Sequence, residues 1–409
     1  CDVVIAGAGI VGLSVAWQLA RRSSLKVTVI DKGAGVGEGS TGASSAICRH
    51  RYSSDRMVSL ARAGIAAYRN WPRFTGLADP AARFHGDGVL WLPGRDTAWA
   101  PREHARLREL DVPTAVLDDA GLKERFPALN PSAVQLDAET GEVHACEGGG
   151  QHLLELDGGF MEPVAAAQDL VSACRGAGVD VRFGQPVTDV LTEGGAVSGV
   201  GLGDGTRIAA PLLVNATGPW CQRLFAAAGV PPGWDLAPVR IQVLYLDRPD
   251  RVEGAIPVVA DFETGIYFRT QNRGQQFVLG SVLKADERER VADPDRLQTV
   301  HDDEFQYAKL HLLQFRIPAL PNRGRVRGYC GLYTTNMDDM HPILGPTALE
   351  GFWAANGFSG HGFKLAPAVG AMLARAITGE ALADDPTVPL DFLAVDRAPI
   401  DVDAKNVLA

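Results

Sequence analysis

The feature that most constrains the fold is a glycine-rich turn near the start of the chain. Residues 1–5 form a largely apolar, β-branched run and lead through Ala6 into Gly-Ala-Gly-Ile-Val-Gly, which places glycines at 7, 9 and 12. An amphipathic helix is predicted over residues 13–22, and a second apolar strand over 26–30 ends at Asp31. This order of strand, turn, helix, strand and acid predicts a βαβ unit that binds a dinucleotide.

Each residue of this turn has a physical role in such a unit. Gly7 permits the tight turn, Gly9 lets the backbone approach a pyrophosphate, and Gly12 lets helix and strand pack closely. Asp31 ends the second strand, where its carboxylate can accept hydrogen bonds from a ribose. The alternative is a purely structural βαβ unit, and the turn alone does not decide between FAD and NAD.

Two later segments are suited to contact an extended cofactor. Residues 33–46 are a run of small residues, which is unsuited to a regular element and can lie along a long ligand. The apolar run 211–218 ends in Ala-Thr-Gly and is predicted to be a parallel strand whose carboxyl end meets the cofactor.

A second glycine-rich stretch, residues 351–370, contains the sequence Ser-Gly-His-Gly. A loop this rich in glycine can press its backbone against a flat ligand. A helix is predicted over residues 363–377, and the free N–H groups of its first turn favour negative charge. Lys364 lies in that first turn, where a cation opposes the dipole, and this makes it a site candidate. The alternative is a glycine-rich turn followed by a solvated lysine.

A basic segment follows the small-residue run. Arg49, His50 and Arg51 are consecutive, so on an extended backbone Arg49 and Arg51 share a face opposite His50. We expect Arg51 to be solvated, as charges at strand ends usually are, and we expect this less of Arg49.

The βαβ pattern is interrupted twice along the chain. Residues 72–135 alternate short strand-like pieces with charged helical stretches, and a glycine-rich loop over 141–150 ends this part. Residues 239–283 consist of strand-like pieces that predict an antiparallel sheet, and a mostly helical segment over 295–316 closes it. A Gly-Asp-Gly-Thr turn at 203–206 predicts a hairpin between the strand-like runs 187–191 and 196–202.

Composition excludes several classes of partner. The formal charge of −10 argues against nucleic acid and anionic membranes as partners. No apolar run approaches the roughly 18 residues needed to cross a bilayer, and no signal peptide is recognised. The six cysteines are widely spaced without a CxxC pair, which predicts reduced thiols in a cytoplasmic protein and no zinc site.

Four blocks, taken together, resemble a known group of enzymes: GAGIVG with Asp31, the small-residue run before Arg49, VNATGPW, and GLYTTNMDDMHPILG followed by NGFSGHGFKLAPAVG. They are similar to the D-amino-acid-oxidase-like superfamily of FAD-dependent amine oxidoreductases, most of all to its sarcosine oxidase, dimethylglycine dehydrogenase and glycine oxidase branch. The resemblance implies an α/β chain (α+β overall), with a Rossmann-like FAD-binding domain and an inserted substrate domain built on an antiparallel sheet.

The resemblance also implies domain boundaries. The FAD-binding domain would be discontinuous, over residues 1–70, 150–222 and 325–385. The substrate-binding domain would comprise 71–149 and 223–324, and residues 386–409 would form a C-terminal tail.

Site residues are implied where the motifs match. Arg49 matches an arginine that binds the substrate carboxylate, Lys364 matches a lysine that helps it, and Tyr333 matches a tyrosine that lines the substrate pocket. The candidate catalytic residues are therefore Arg49, Lys364, Tyr333 and His361. The candidate cofactor contacts are Gly7, Gly9, Ile10, Val11, Gly12, Asp31, Lys32, Ser40, Thr41, Ser44, Ser45, Val187, Ala216, Thr217, Gly218, Trp220, Gly331, Gly360, His361, Gly362, Phe363 and Lys364.

Three departures from the resembled enzymes matter. Gly331 stands where monomeric sarcosine oxidase attaches its flavin to a cysteine, and Cys330 lies one residue earlier, on the opposite face of a strand. Residues 33–46 contain no histidine, whereas the dimethylglycine dehydrogenase type attaches its flavin through one in this run. We therefore expect non-covalent FAD. Val278 stands where sarcosine oxidase has a lysine credited with oxygen activation, which makes a dehydrogenase plausible.

Three functions remain open on this reading. The first is oxidation of a small amino acid, preferably a secondary amine that carries a carboxylate, by hydride transfer to flavin N5; the imine product then hydrolyses. The second is oxidation of a 2-hydroxy acid, which needs a base and would make His361 essential. The third is a flavin subunit of an electron-transfer complex. The expected partners are a small carboxylate substrate and oxygen or another electron acceptor, without nucleic acid or membrane; the number of subunits is left open.

Overall fold

The computed structural model describes residues 1–136, 143–145, 150–321, 324–402 and 408. The predicted loop over 141–150 lies largely outside these residues. The described strands are β1 (Val3–Ala6), β2 (Val27–Ile30), β3 (Ile47–Cys48), β4 (Phe84–His85), β5 (Val89–Leu92), β6 (Thr114–Asp118), β7 (Val134–Leu136), β8 (Val143–Ala145), β9 (Gln151–Glu155), β10 (Gly159–Met161), β11 (Asp180–Arg182), β12 (Val187–Glu193), β13 (Ala196–Leu202), β14 (Arg207–Ala209), β15 (Leu212–Asn215), β16 (Leu236–Asp247), β17 (Val258–Asp261), β18 (Ile266–Gln271), β19 (Gln276–Ser281), β20 (Val326–Asn336), β21 (Ile343–Pro346) and β22 (Phe352–Asn356).

The α-helices of the described residues alternate with these strands in the first part of the chain. They are α1 (Ile10–Arg22), α2 (Asp55–Arg69), α3 (Trp71–Thr75), α4 (Trp99–Glu109), α5 (Asp119–Arg125), α6 (Pro163–Gly176), α7 (Cys221–Ala227), α8 (Asp303–Arg316) and α9 (Gly362–Thr378).

A six-stranded sheet in the order β11-β2-β1-β15-β22-β21 forms the first layer of the fold. Its strands pair in parallel except β21, which is antiparallel to β22. All four residues of β1 and of β2 are buried, as expected for central parallel strands covered on both faces. Helix α1 connects β1 to β2, so the predicted βαβ unit is confirmed, with the helix beginning three residues earlier than predicted.

An eight-stranded sheet in the order β20-β16-β19-β18-β17-β5-β9-β6 forms the second layer. Every pair in it is antiparallel except β17 with β5, so the predicted antiparallel sheet is confirmed with one parallel exception. It draws strands from both interruptions of the βαβ pattern, because β5 and β6 come from residues 72–135 and β17, β18 and β19 come from residues 239–283.

The two faces of the eight-stranded sheet pack against different parts of the chain. One face carries apolar side chains such as Phe268, Phe277 and Leu279, which pack in one core cluster with residues of α5 and α8. Because successive residues of a strand point to opposite sides, their neighbours Tyr267, Arg269 and Val278 lie on the other face. That second face is turned toward residues 40–46 and the candidate site.

Two expectations about organisation need comment. Strands β9 and β20 pair within the eight-stranded sheet, although the predicted boundaries assign residues 150–222 and 325–385 to the FAD-binding domain; the boundaries themselves stay a prediction. The Gly-Asp-Gly-Thr turn joins β13 to β14, whereas β12 and β13 pair through a turn at Gly194 and Gly195. The predicted partners of that hairpin were therefore wrong by one strand.

Candidate functional site

The glycine turn after β1 is a cradle that side chains cannot enter. Gly7 has φ of +109°, and a β-carbon there would lie 2.3 Å from the backbone oxygen of Ala216. A β-carbon on Gly12 would lie 2.0 Å from the oxygen of Gly7. Gly9 caps α1 in an extended conformation, so the first turn of the helix, which contains Ile10 and Val11, points its N–H groups out of the sheet edge. This geometry suits the phosphates of a dinucleotide.

The Asp31 carboxylate is fixed at the end of β2. It accepts hydrogen bonds from the backbone N–H of Ala8, at 2.6 Å, and of Gly33, at 2.7 Å. The N–H of Gln185 donates to the backbone oxygen of Asp31 at 2.9 Å, which brings the start of β12 at Val187 to the same edge. These residues come together at the carboxyl ends of β1 and β2, where open α/β sheets bind nucleotides.

Lys32 and Trp220 contact each other at the carboxyl end of β2, and both also contact Asp295. The Lys32 ammonium lies 3.8 Å from the centroid of the Trp220 ring and forms an ion pair with Asp295. The indole Nε1 of Trp220 donates to Asp295 at 2.8 Å, and Arg223 donates to it at 2.7 Å. We call Lys32, Trp220, Arg223 and Asp295 the Asp295 bracket. These contacts hold the Asp295 pKa well below its usual value, the Lys32 hydrogen bond most of all.

The small-residue run lies between the two layers. Thr41 Oγ1 accepts the N–H of Ile10 at 3.0 Å, and Ser40 Oγ donates to the backbone oxygen of Leu332 at 2.6 Å. A β-carbon on Gly331 would lie 2.5 Å from the β-carbon of Ala43, so β20 requires glycine where the run passes. A small cavity between them is lined by Ser40, Ala43, Ser45, Ile241, Val243, Tyr267, Gly331, Leu332 and Tyr333.

Three further predicted contacts, Ser44, Thr217 and Gly218, belong to local turns. Ser44 Oγ accepts the N–H of Ala46 at 2.9 Å. After β15, Thr217 Oγ1 donates to Asn215 Oδ1 at 2.7 Å, and Gly218 has φ of +56°. These bonds shape the backbone beside the Gly7 cradle.

The second glycine-rich stretch forms a strained loop before α9. Ser359 and Gly360 have φ of +47° and +84°, in the left-handed region. Ser359 Oγ accepts the N–H of Asn336 at 2.9 Å, which ties the loop to the end of β20. His361 caps α9, and Gly362 is its first residue. The helix predicted over 363–377 is therefore confirmed, with bounds Gly362–Thr378.

Arg49 and Lys364, separated by more than three hundred residues, converge on one aromatic ring. Arg49 Cζ lies 4.4 Å from the centroid of the Tyr52 ring, and Lys364 Nζ lies 5.7 Å from it. Both cationic residues are only 4% exposed, and Tyr52 is fully buried. His361 presents its ring to Tyr52 edge to face, with centroids 5.1 Å apart. We call Arg49, Lys364 and Tyr52 the clamp.

The clamp is electrostatically strained. Burial lowers the pKa of the Lys364 ammonium well below its usual value, and the charge of Arg49 lowers it further. Burial likewise lowers the pKa of the Arg49 guanidinium and raises the pKa of the Tyr52 hydroxyl. Within the described residues, Lys364 Nζ has no carboxylate within ion-pairing distance. Two buried cations that approach one aromatic ring are an arrangement that suits an anion.

Glu155 fixes the backbone next to Arg49. Its buried carboxylate accepts the N–H of His50 at 2.6 Å, the N–H of Arg51 at 3.0 Å and the indole N–H of Trp91 at 2.9 Å. Arg49 Cζ lies 5.6 Å from the centroid of that Trp91 ring. Because all three hydrogen bonds come from groups beside Arg49, Glu155 is placed to hold the arginine in the site.

Helix α2 fixes the start of α9. The hydroxyl of Tyr68 donates to the backbone oxygen of Phe363 at 2.6 Å, and the two rings stack with centroids 5.0 Å apart. Gly64 lies directly against the backbone of Lys364. The sequence therefore places a glycine where the two helices touch, which lets Lys364 reach the site.

A wall of the site comes from the second face of the eight-stranded sheet. Tyr333 lies on it, and burial raises the Tyr333 pKa well above its usual value. Val278 is paired directly with Arg269 in the register of β18 and β19, so the two side chains share that face. Arg269 Nε donates to the backbone oxygen of Ser45 at 2.7 Å, and burial lowers the Arg269 pKa to about 10. A positive charge thus lies on the strand next to the apolar Val278.

The structure also places Arg51 and Cys330, for which expectations were drawn from the sequence. Arg51 was expected to be solvated, and this was wrong, because its guanidinium forms an ion pair with Glu103 at 3.2 Å and donates to the oxygen of Leu408 at 3.0 Å. Cys330 is buried on the strand face opposite Gly331, next to Arg240.

Three residues of the site were not singled out from the sequence: Tyr52, Glu155 and Arg269. Tyr52 follows Arg49 by three positions, and its aromatic character was the available signal. Glu155 and Arg269 carry no local signal, since they reach the site through pairing in the eight-stranded sheet. In the described part of the chain, no helix combines the length and apolar character needed to cross a membrane.

Several known proteins are similar to this chain over most of its length. The sequence profile of the family described as FAD dependent oxidoreductase (DAO) matches residues 2–376. FAD-dependent oxidoreductase domain-containing protein 1 of Bos taurus is 28% identical over 412 residues, covering 92% of this chain and 81% of that protein. Monomeric sarcosine oxidase of Streptomyces avermitilis is 26% identical, covering 92% of this chain and 94% of that protein. The crystal structure of L-proline dehydrogenase from P. horikoshii has a TM-score of 0.80 at 24% identity, covering 96% of each chain.

Proposed function

Because the chain belongs to the DAO family of FAD-dependent oxidoreductases, we propose that it oxidises a small amino acid, preferably one with a secondary amine. The observation that carries this proposal is the convergence of Arg49 and Lys364 on the Tyr52 ring. A guanidinium fork and an ammonium together suit the carboxylate that every amino acid carries.

The residues at the sheet edge fit FAD. The Gly7 cradle and the first turn of α1 suit the pyrophosphate, and Asp31 suits a ribose. The run 40–46, Gly331 and the loop before α9 would hold the rest of the cofactor. When bound, FAD accepts the hydride that leaves the carbon next to the substrate nitrogen.

In this proposal the residues of the chain bind the substrate and orient it. Arg49 and Lys364 hold the carboxylate, and burial of the clamp excludes water and strengthens both contacts. The first turn of α9, with its free N–H groups, favours negative charge nearby. The substrate nitrogen has to be unprotonated before the neighbouring carbon can give up a hydride, and no strong base from the chain is required.

The preference for secondary amines in this proposal rests on the similar proteins and not on the clamp. Sarcosine and proline, which appear in the names of a relative and of a solved structure, are both secondary amines with a carboxylate. An anaerobic screen of primary amino acids, N-methyl amino acids, cyclic amino acids and 2-hydroxy acids for loss of flavin absorption tests the proposal. If 2-hydroxy acids alone reduce the flavin, or no compound does, the proposal is wrong.

A second candidate function is oxidation of a 2-hydroxy acid, which the position of His361 against Tyr52 favours. That reaction needs a base to take the hydroxyl proton, and an imidazole beside the carboxylate clamp could serve. Replacement of His361 by Ala separates the two candidates. The variant should keep most of its kcat with an amine substrate and lose about 100-fold or more if the substrate is a hydroxy acid.

The mode of FAD attachment is a further proposal, and the identity of the electron acceptor is left to experiment. We propose that FAD is bound without a covalent link, which is supported by glycine at 331 and by Cys330 on the other strand face. Acid precipitation should then release the flavin and leave the mass of the chain unchanged. Repeating the screen in air decides between oxygen and another acceptor, a choice that Val278 and Arg269 leave open.

A further inference from the structure

The ring of Tyr52 occupies a particular place in the clamp. It is fully buried, with Arg49 Cζ at 4.4 Å and Lys364 Nζ at 5.7 Å from its centroid. The face of an aromatic ring carries negative electrostatic potential, and it attracts a cation within about 6 Å of the centroid. One ring therefore interacts favourably with both cations that repel each other.

The Arg49 guanidinium also donates a hydrogen bond to the backbone oxygen of Arg51. The side chains near the clamp compensate the two charges less directly than the ring does. Glu155 is the acid whose charge acts on both Arg49 and Lys364, but its oxygens already accept three N–H groups. The Cys48 thiol is nearby, and burial raises its pKa to about 12, so it stays neutral at physiological pH. His361 meets the Tyr52 ring edge to face. The aromatic face is therefore the part of the clamp that both cations approach.

The hydroxyl of Tyr52 has a different status from the ring. It is buried and has no hydrogen-bond partner among the residues that the structure describes. A hydroxyl in this situation contributes nothing to holding Arg49 or Lys364, and its desolvation is unfavourable. The ring and the hydroxyl can therefore be separated by substitution.

We propose that Tyr52 is a positioning residue, whose aromatic face holds the Arg49 guanidinium and the Lys364 ammonium together as one carboxylate site. This proposal rests on the carboxylate clamp of the proposed function and names the part that organises it. Without an electron-rich ring, the two cations separate and Lys364 loses its proton at a lower pH. Either change weakens the binding of a carboxylate.

The test changes the electronic character of the ring while keeping its shape. Tyr52 is replaced by Phe, by mono-, tri- and pentafluorophenylalanine through nonsense suppression, and by Leu. Each purified holoenzyme is titrated with acetate between pH 6 and pH 10. Acetate is a carboxylate without an amine, so it can bind but cannot undergo the proposed oxidation. Flavin absorption reports acetate binding, and the flavin-to-protein ratio and Tm report folding.

We expect the Phe variant to bind acetate within about 2-fold of the wild type and to have an equal or higher Tm, because only the unpartnered hydroxyl is lost. Affinity should fall stepwise with fluorination, by about 5-fold or more for pentafluorophenylalanine and for Leu. The pH above which acetate affinity declines should fall in the same order, since the ring stabilises the charged form of Lys364.

Two results would overturn the proposal. Equal acetate affinity across the fluorinated series would show that the face of the ring does not hold the cations. Loss of affinity in the Phe variant as large as in the Leu variant would assign the role to the hydroxyl. If Leu prevents folding, the fluorinated series still decides, because its members keep the shape of the ring.

The outcome is distinguishable from failure of the proposed function. Acetate binding needs the clamp but no oxidation, so the series gives its answer even if no amine reduces the flavin. Conversely, an amine that reduces the wild-type flavin supports the proposed function even if acetate affinity is independent of fluorination.

Discussion

A β-carbon on Gly64 would lie 2.1 Å from the backbone oxygen of Lys364. Helices α2 and α9 therefore touch backbone to backbone at the residue that carries the ammonium of the clamp. No side chain fits there without moving one helix, so the position of Lys364 depends on a residue three hundred positions earlier in the chain.

We predict that Gly64→Ala raises KM for the substrate by about 10-fold or more, since the start of α9 has to shift, and lowers stability by roughly 1–3 kcal/mol. Steady-state kinetics and chemical denaturation measure the two effects. Gly176→Ala is the matched control, because Gly176 ends α6 and a β-carbon there would meet nothing within 4 Å. Equal effects of the two substitutions would contradict the role of the helix contact.

Lys364 should lower the stability of the protein when no carboxylate is bound. Its pKa is lower in the folded protein than in the unfolded chain, so the unfolded chain binds more protons between these two values. The free energy of unfolding should therefore rise with pH across that window, and the penalty is fully present below the folded pKa.

Lys364→Met should remove this penalty. We expect a gain on the order of 1–2 kcal/mol at pH 7 in the substrate-free holoenzyme, together with loss of carboxylate binding. Denaturant titrations at several pH values with and without acetate measure it, and acetate should stabilise the wild type alone. A variant less stable than the wild type at pH 7 without acetate would count against a strained clamp.

The pH dependence of kcat/KM should have two limbs. The rising limb reports the substrate amine, which reacts when neutral, and the falling limb reports Lys364, which holds the carboxylate only when protonated. In Lys364→Met the falling limb should disappear and the plateau should be lower. Persistence of the same falling limb in this variant would assign it to another group.

Glu155→Gln should weaken substrate binding without removing a charge from the clamp itself. Glutamine offers one oxygen to the three N–H groups that Glu155 now accepts, so at least one buried donor loses its partner, at about 1–3 kcal/mol. KM should rise more than kcat falls. Glu103→Gln is the control for loss of a carboxylate in this region, since Glu103 pairs with Arg51 and Arg106 and not with the backbone beside Arg49.

The Asp295 bracket should slow the loss of FAD. Asp295→Asn removes the ion pairs with Lys32 and Arg223 beside the carboxyl ends of β1 and β2, so dilution should release flavin faster. The difference from the wild type should shrink at high salt, because salt screens these ion pairs in the wild type. Recovery of flavin fluorescence after dilution measures the rate. Asp250→Asn, at an exposed turn, provides the control for a surface charge. Unchanged release from the Asp295 variant would show that the bracket does not retain the cofactor.

The parts of the fold that depend on local pattern could be predicted from the sequence. The βαβ unit was readable because strand, turn, helix and acid follow one another within about thirty residues. Arg49 and Lys364 were found because each lies in a distinctive motif. The structure then brings them to the same ring, as the proposed clamp requires.

The rest depends on contacts between distant segments. Arg51 was expected in solvent because its partner Glu103 comes from a helix about fifty residues later. Glu155 and Arg269 enter the site through strand pairing, which sequence spacing does not reveal. The hairpin turn at 203–206 was recognised, but its partner strand was misjudged because two neighbouring turns contain paired glycines or a glycine with aspartate.

One face of the eight-stranded sheet packs against α5 and α8, and the other is turned toward the proposed site. This division has an evolutionary consequence. Residues such as Tyr267 and Val278 can be exchanged without touching Phe268, Phe277 or the helices beneath them. Substitutions confined to one face of the sheet can therefore change the substrate while the fold stays the same. Descendants of a common ancestor could diverge in chemistry while keeping the same architecture.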